Sequence, residues 1–236
     1  MDSLVEHLEI TRYNSGETVV MPDVVLKEYR LLIIINGVSN YHITCTKTSL
    51  QAFVVGYLFS ENLIKTHGDI QEFELNETNG SASVRIASTE KALRIADALE
   101  NGFCVSVGQL LNAVSECSTR SQLFLSTGAV HSCALCDASG ILYFEEDISR
   151  HNALDKIIGY AVMNQVRLDS CYVVTSGRVP SDMLEKIVRA GIPLVASRSA
   201  PTDSAVRLAK KYNMTLIGFA RGSRMNLYSC PQRVAL

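Results

Sequence analysis

The tightest constraint on this chain is the regular alternation of its second half. Between residues 123 and 219, short apolar runs alternate with amphipathic segments, joined by brief connections. The pattern predicts strands over 123–127, 130–136, 141–145, 171–175, 193–197 and 215–219, and helices over 151–164, 181–190 and 203–212. In the first helix Leu154, Ile157, Ile158, Ala161 and Val162 form one apolar stripe. The second starts at Ser181 and stops at Gly191 before Pro193, and the third follows Pro201 with Thr202 as its cap. Such alternation predicts an α/β fold with a mixed sheet covered by helices on both faces. In open sheets of this kind the ligand crevice lies beyond the carboxyl ends of the strands.

The first half reads as a smaller α/β unit. A strand over 23–36 turns at Asn36-Gly37 into a second over 41–45. A helix capped by Thr48 or Ser49 follows, with Leu50, Phe53, Val54, Tyr57 and Leu58 at helical spacing. A further strand is expected over 84–87, and an amphipathic helix over 89–100 that stops at Asn101-Gly102. The polar stretch 101–121, holding a short helix over 109–115, divides the chain into expected domains 1–104 and 105–236.

A formal net charge of −2 supplies no general attraction to nucleic acid or anionic lipid, so neither is an expected partner and any anion site must be local. The N-terminal MDSLVEHLEI lacks the pattern of a secretory signal, and the apolar runs 31–35 and 51–59 are too short to span a membrane. Seven cysteines, an odd number spread over 236 residues, suggest reduced thiols and a cytoplasmic protein.

Four predicted strand ends carry small, polar and cationic residues together. They are Arg150-His151-Asn152, Ser176-Gly177-Arg178, Arg198-Ser199-Ala200 and Phe219-Ala220-Arg221-Gly222-Ser223-Arg224. Free N–H groups at helix starts and forked guanidinium donors both suit phosphate. The plainer reading of any one junction is a capped helix beside a solvated arginine; four on one sheet edge favour an anion pocket.

Among the thiols, Cys133 and Cys136 have the spacing of redox pairs, sulfur carriers and half zinc sites, with His131 two residues upstream. On a strand they point to opposite faces, which disfavours a shared metal. Structural thiols rank first, sulfur handling second and zinc third, so no metal site is assigned. Cys104 lies in a loop where a thiol could accept a persulfide.

Residues 123–229 resemble the formate dehydrogenase accessory protein (FdhD) family, and the N-terminal half is similar more loosely, through Ile35-Asn36-Gly37 and the run from Gly56-Tyr57-Leu58 to Ile64. The likeness rests on Ser126-Thr127-Gly128-Ala129-Val130-His131, on the run from Glu146 through Arg150-His151-Asn152-Ala153-Leu154-Asp155-Lys156, and on Thr175-Ser176-Gly177-Arg178. Arg189-Ala190-Gly191-Ile192-Pro193, Ser199-Ala200-Pro201-Thr202 and the stretch from Gly218 to Asn226 complete it. The resemblance implies a cytidine-deaminase-like C-terminal domain, a homodimer and a role in formate dehydrogenase maturation. Sulfur would pass from a cysteine desulfurase to the bis-molybdopterin guanine dinucleotide cofactor, which the segment Phe219–Arg224 would contact, and a guanine nucleotide would mimic it. The family's C-x-x-C pair between the domains is absent here, and Cys104 is the only thiol near that place. The alternative is therefore a chaperone that binds the cofactor without moving sulfur. The helix starts lack the glutamate and paired cysteines of zinc deaminases, and a zinc-dependent hydrolase using His131 is the weakest reading.

Overall fold

The computed structural model describes residues 2–87, 99 and 102–235. The helix expected over 89–100 lies outside the described residues, apart from Leu99.

The chain opens with a two-stranded antiparallel ribbon, β1 (Val5–Asn14) and β2 (Glu17–Leu26). A four-stranded sheet follows, in the order β4-β3-β6-β5, from β3 (Tyr29–Ile35), β4 (Ser39–Cys45), β5 (Ile70–Asn76) and β6 (Ser81–Ile86). The single strand expected over 23–36 is thus broken at Lys27-Glu28, and its two parts serve different sheets. Helix α1 (Leu50–Ser60) is buried almost all round, with Phe53, Val54, Val55 and Leu58 fully enclosed. An evenly apolar helix belongs inside a core rather than on a surface.

After β7 (Val105–Ser106) come α2 (Val107–Arg120) and α3 (Gln122–Thr127). Stretch 123–127 is therefore a helix, not the strand its apolar residues suggested. The reason is a buried carboxylate: Glu146 accepts the N–H groups of Leu123 and Phe124 at 3.2 Å each and the Ser121 hydroxyl at 2.5 Å. A carboxylate on the first free N–H groups stabilises a helix start that short apolar sequence alone does not specify.

The remaining elements are β8 (His131–Asp137), β9 (Gly140–Asp147), α4 (Arg150–Met163), β10 (Tyr172–Thr175), α5 (Ser181–Arg189), β11 (Leu194–Ser197), α6 (Asp203–Lys211), β12 (Thr215–Arg221), β13 (Arg224–Ser229) and β14 (Val234–Ala235). Six of these strands form one mixed sheet in the order β13-β12-β11-β10-β8-β9. Strands β10, β11 and β12 are parallel, and the others run antiparallel to their neighbours. Short β14 pairs with β7 instead.

Side-chain alternation along the strands separates the sheet's faces. Cys133, Leu135, Val173, Val195 and Leu216 face a large core that includes α4, α5 and α1. Ala134, Cys136, Tyr172, Val174, Ala196 and Ile217 face Leu110, Ala113, Val114 and Cys117 of α2. The large core also takes in Leu31, Ile33, Val84 and Ile86 of the four-stranded sheet, so residues from both halves share one apolar interior.

Helices α1 and α4 meet at two glycines. A Cβ at Gly56 would overlap the carbonyl of Asp155, and one at Gly159 would overlap that of Ala52. Only residues without a side chain let the two backbones touch.

Buried ion pairs fasten the same seam. Lys156 Nζ, wholly enclosed, lies 2.9 Å from Asp147 and donates to the Thr48 hydroxyl at 2.7 Å. Asp147 in turn accepts the Thr46 N–H at 3.0 Å and the Asn152 amide at 2.9 Å. Lys186 lies 2.6 Å from Asp155, which also accepts the Ser60 hydroxyl at 2.7 Å. Among the described residues no helix is long and apolar enough to cross a membrane.

Candidate functional site

Parallel strands that end side by side deliver their following loops to one edge. Here the loops after β10, β11 and β12 meet the start of β8 and the α2–α3 corner. Together they enclose a cavity of about 300 Å³ lined by Ser118, Ser121, Phe124, His131, Ser132, Ser176, Arg198 and Arg221.

The loops are pinned by hydroxyls at the strand ends. Thr175 donates to the Ser132 carbonyl and accepts the Gly177 N–H, each at 3.2 Å. Ser197 donates to the Gly177 carbonyl at 2.7 Å and accepts the Ser199 N–H at 2.9 Å. Ser132 and Ser176 also exchange bonds, each 3.0 Å long. The walls are therefore held before any ligand arrives, which lowers the ordering cost of binding.

Gly177 lets His131 of the cavity wall and Arg150 behind it pack close to the loop after β10. A Cβ there would lie 3.0 Å from the Arg150 Cβ and 3.5 Å from His131 Nδ1. Burial, then the charges of Arg150, Arg178 and His151, hold the His131 imidazole below its ordinary pKa and favour its neutral form. Arg150 Nε is shut from solvent without a hydrogen-bond partner. Among the described residues no ion pair involves Arg150, Arg178, Arg198, Arg221 or Arg224. Arg198 donates instead to the Ser118 hydroxyl at 2.7 Å. Unpaired guanidinium groups beside small hydroxyls can grip a multiply charged anion.

Of the residues singled out in the sequence, His131, Ser176, Arg198 and Arg221 line this cavity, with Gly177 and Arg150 packed behind it. Arg178 is exposed and acts on His131 through its charge. Ser199 and Ala200 spend their carbonyls on the N–H groups of Phe219 and Val179, at 3.0 and 3.1 Å, and so join the loops. Phe219 has a φ of 53° and introduces the irregularity that precedes Arg221, while Ala220 is buried. Gly222 and Ser223 form the exposed turn, and Arg224 pairs across it with Arg221 but is outside the cavity lining.

His151 and Asn152 face another hollow, between β4, α4 and α5, beside Asp155, Asp182 and Lys186. Asn152 donates to the Thr44 carbonyl and to Asp147, and His151 Nε2 lies 3.2 Å from Asp182 without the alignment of a hydrogen bond.

The thiols stand apart from the cavity. Cys133 and Cys136 are fully enclosed on opposite faces of the sheet, and burial pushes both well above the ordinary thiol range. Cys104 is exposed, but it precedes α2 while Ser118 and Ser121 sit at that helix's far end. Fourteen residues of helix set the two ends about 20 Å apart. Cys117 lies 3.7 Å from the Ser132 hydroxyl of the cavity wall, yet it is buried and its thiol is pushed up to about 11. Among the described residues no group of three or more His, Cys, Asp or Glu is placed to hold a metal ion.

The sequence reading missed Ser132, at the start of β8, and also Ser118, Ser121 and Phe124, which arrive from the α2–α3 corner. The available signal for that corner was the serine-rich run 115–121 ahead of Gly128.

The model of the FdhD/NarQ family matches this chain in two overlapping stretches, 26–99 and 86–235. The chain belongs to the FdhD/NarQ family. It is 32% identical to the sulfur carrier protein FdhD of Bacillus licheniformis, across 96% of this chain and 95% of that one. With the protein of the same name from Bacillus subtilis it shares 30% identity, across 99% and 98%. A crystal structure of a putative formate dehydrogenase accessory protein from Desulfotalea psychrophila superposes with a TM-score of 0.88 at 27% identity, covering 98% of this chain and all of that one. These members match both halves, so the looser N-terminal resemblance holds along with that of residues 123–229.

Proposed function

We propose that this chain is a sulfur carrier of formate dehydrogenase maturation that binds a phosphate-bearing end of the bis-molybdopterin guanine dinucleotide in the cavity at the sheet edge. The observation that carries this reading is the convergence of Arg198, Arg221, His131 and Ser176 on one cavity with no carboxylate among its described lining residues. Its volume, about 300 Å³, suits a single nucleotide end rather than the whole cofactor. Arg150, packed behind Gly177, adds positive charge near the cavity. The name sulfur carrier protein, borne by the curated relatives, supports the sulfur-carrying part, and the accessory role named for the matching crystal structure supports formate dehydrogenase as the enzyme served; a cysteine desulfurase is the donor class we propose. A homodimer in the cytoplasm completes the proposal. The exposed Tyr13, Val19 and Val20 of the β1–β2 ribbon offer apolar surface for such pairing.

Sulfur transfer would begin when a thiolate of this chain attacks the outer sulfur of a donor persulfide. A new S–S bond forms as the donor leaves as a thiolate, so no outside oxidant is required. Cys104 is the thiol with the exposure this step needs, whereas Cys133 and Cys136 are enclosed. A second reading, cofactor binding without sulfur transfer, is favoured by the separation of Cys104 from the cavity. Incubation with a cysteine desulfurase and cysteine, followed by mass spectrometry, separates the two. The carrier reading expects one added sulfur that Cys104→Ser abolishes; an unmodified chain would leave binding alone.

A further inference from the structure

Phe124 is the aromatic residue of the cavity wall, and it remains 49% exposed. It sits on α3, six residues long, which is too short to hold its own conformation. The helix is held by the buried Glu146 of β9, which binds the N–H groups of Leu123 and Phe124 and the Ser121 hydroxyl. The other walls carry Arg198 and Arg221, and Arg198 is tied by Ser118 to the same helix corner. An apolar ring and two guanidinium groups thus border one space, complementary to a ligand with a flat heterocycle and a phosphate chain.

We propose that Phe124 makes this cavity discriminate a nucleotide from a bare phosphate chain by stacking on the base, and that Glu146 is the positioning residue that holds Phe124 in place. This rests on the anion-binding reading above and adds what selects within it. Arginines alone grip pyrophosphate and nucleotide alike; a ring face rewards only the latter. Half-exposed aromatic surface, wasteful in an empty wall, is what a stacking partner would cover.

The test is calorimetric titration of the full chain with GDP and with pyrophosphate, for the parent, Phe124→Ala, Phe124→Tyr and Glu146→Gln. Circular dichroism would establish that each variant is folded. Base–aromatic stacking, measured by alanine substitution, corresponds to a loss of about 5- to 150-fold in affinity. Phe124→Ala is expected to lose GDP affinity within that range and to keep its pyrophosphate affinity. Phe124→Tyr should restore GDP binding. Glu146→Gln should weaken GDP less than Phe124→Ala does and spare pyrophosphate. Equal loss of both ligands in Phe124→Ala, or loss of neither, would overturn the stacking role. Unchanged GDP binding in Glu146→Gln would overturn the positioning role. A parent that binds both ligands equally sinks the inference but leaves the anion cavity standing, whereas one that binds neither removes the cavity reading itself.

Discussion

Arginines at the sheet edge and lysines at the seam between the halves live by opposite rules. Arg150, Arg198 and Arg221 gather around the cavity, and no described ion pair involves them, whereas Lys156 and Lys186 each touch a buried carboxylate. The run Arg150-His151-Asn152-Ala153-Leu154-Asp155-Lys156 serves both regions at once. Its first residue backs the cavity, while Asn152, Asp155 and Lys156 staple α4 to the first half. A charge already satisfied by the protein is structure; a charge left open is an invitation to a ligand. Paired and unpaired cations therefore distinguish the two roles better than the motif does.

The sharpest way to break this comparison is at the seam. Replacing Lys156 by Ala leaves Asp147 enclosed without its cation, and loss of one partner of a buried pair costs about 3–5 kcal/mol. Denaturant unfolding should show that loss in Lys156→Ala; a variant as stable as the parent would contradict the staple role. At the edge the effect should fall on binding instead. Arg221→Ala is expected to weaken guanine nucleotide binding by about 1.5–3 kcal/mol while leaving the unfolding midpoint unchanged. Arg224→Ala, outside the cavity lining, should weaken it less, and a reversed order in titrations would misplace the site.

The smallest expected effect is a pH dependence. Because the folded state lowers the His131 pKa, the unfolded chain binds more protons once the pH falls below the ordinary imidazole value near 6.5. His131 contributes no such penalty well above that value, and its contribution turns destabilising as the pH falls through it. Thermal unfolding from neutral to mildly acidic pH should therefore weaken the parent more than His131→Gln. Equal slopes would show that neither burial nor the neighbouring charges lower the His131 pKa.

The same contrast explains what could be read beforehand. Helices α4, α5 and α6 and the parallel strands were legible because their apolar periodicity and caps are local. Loops after parallel strands land on one edge by topology, so Arg198, Arg221 and Ser176 could be nominated without coordinates, whereas His131, at the start of β8, entered through the family resemblance. The α3 helix was not legible, because the carboxylate that starts it sits on β9, more than twenty positions away. Nor was the β1–β2 ribbon, whose residues are mostly exposed and show little of the alternation a covered sheet imposes. Partnering is a property of three dimensions. Nothing in the letters separates Lys156, locked to Asp147, from Arg150, left without an ion pair six residues earlier in the same helix.

Where α1 crosses α4, the chains run main chain to main chain, with no cushion of side-chain atoms between them. A seam of that kind cannot slip, since the first small shear drives a carbonyl into a neighbouring α-carbon. Four-stranded sheet, both helices and six-stranded sheet must therefore travel as a single block. Accommodation of a guest is left to the rim: the arginine side chains and the hairpin turn at Gly222-Ser223.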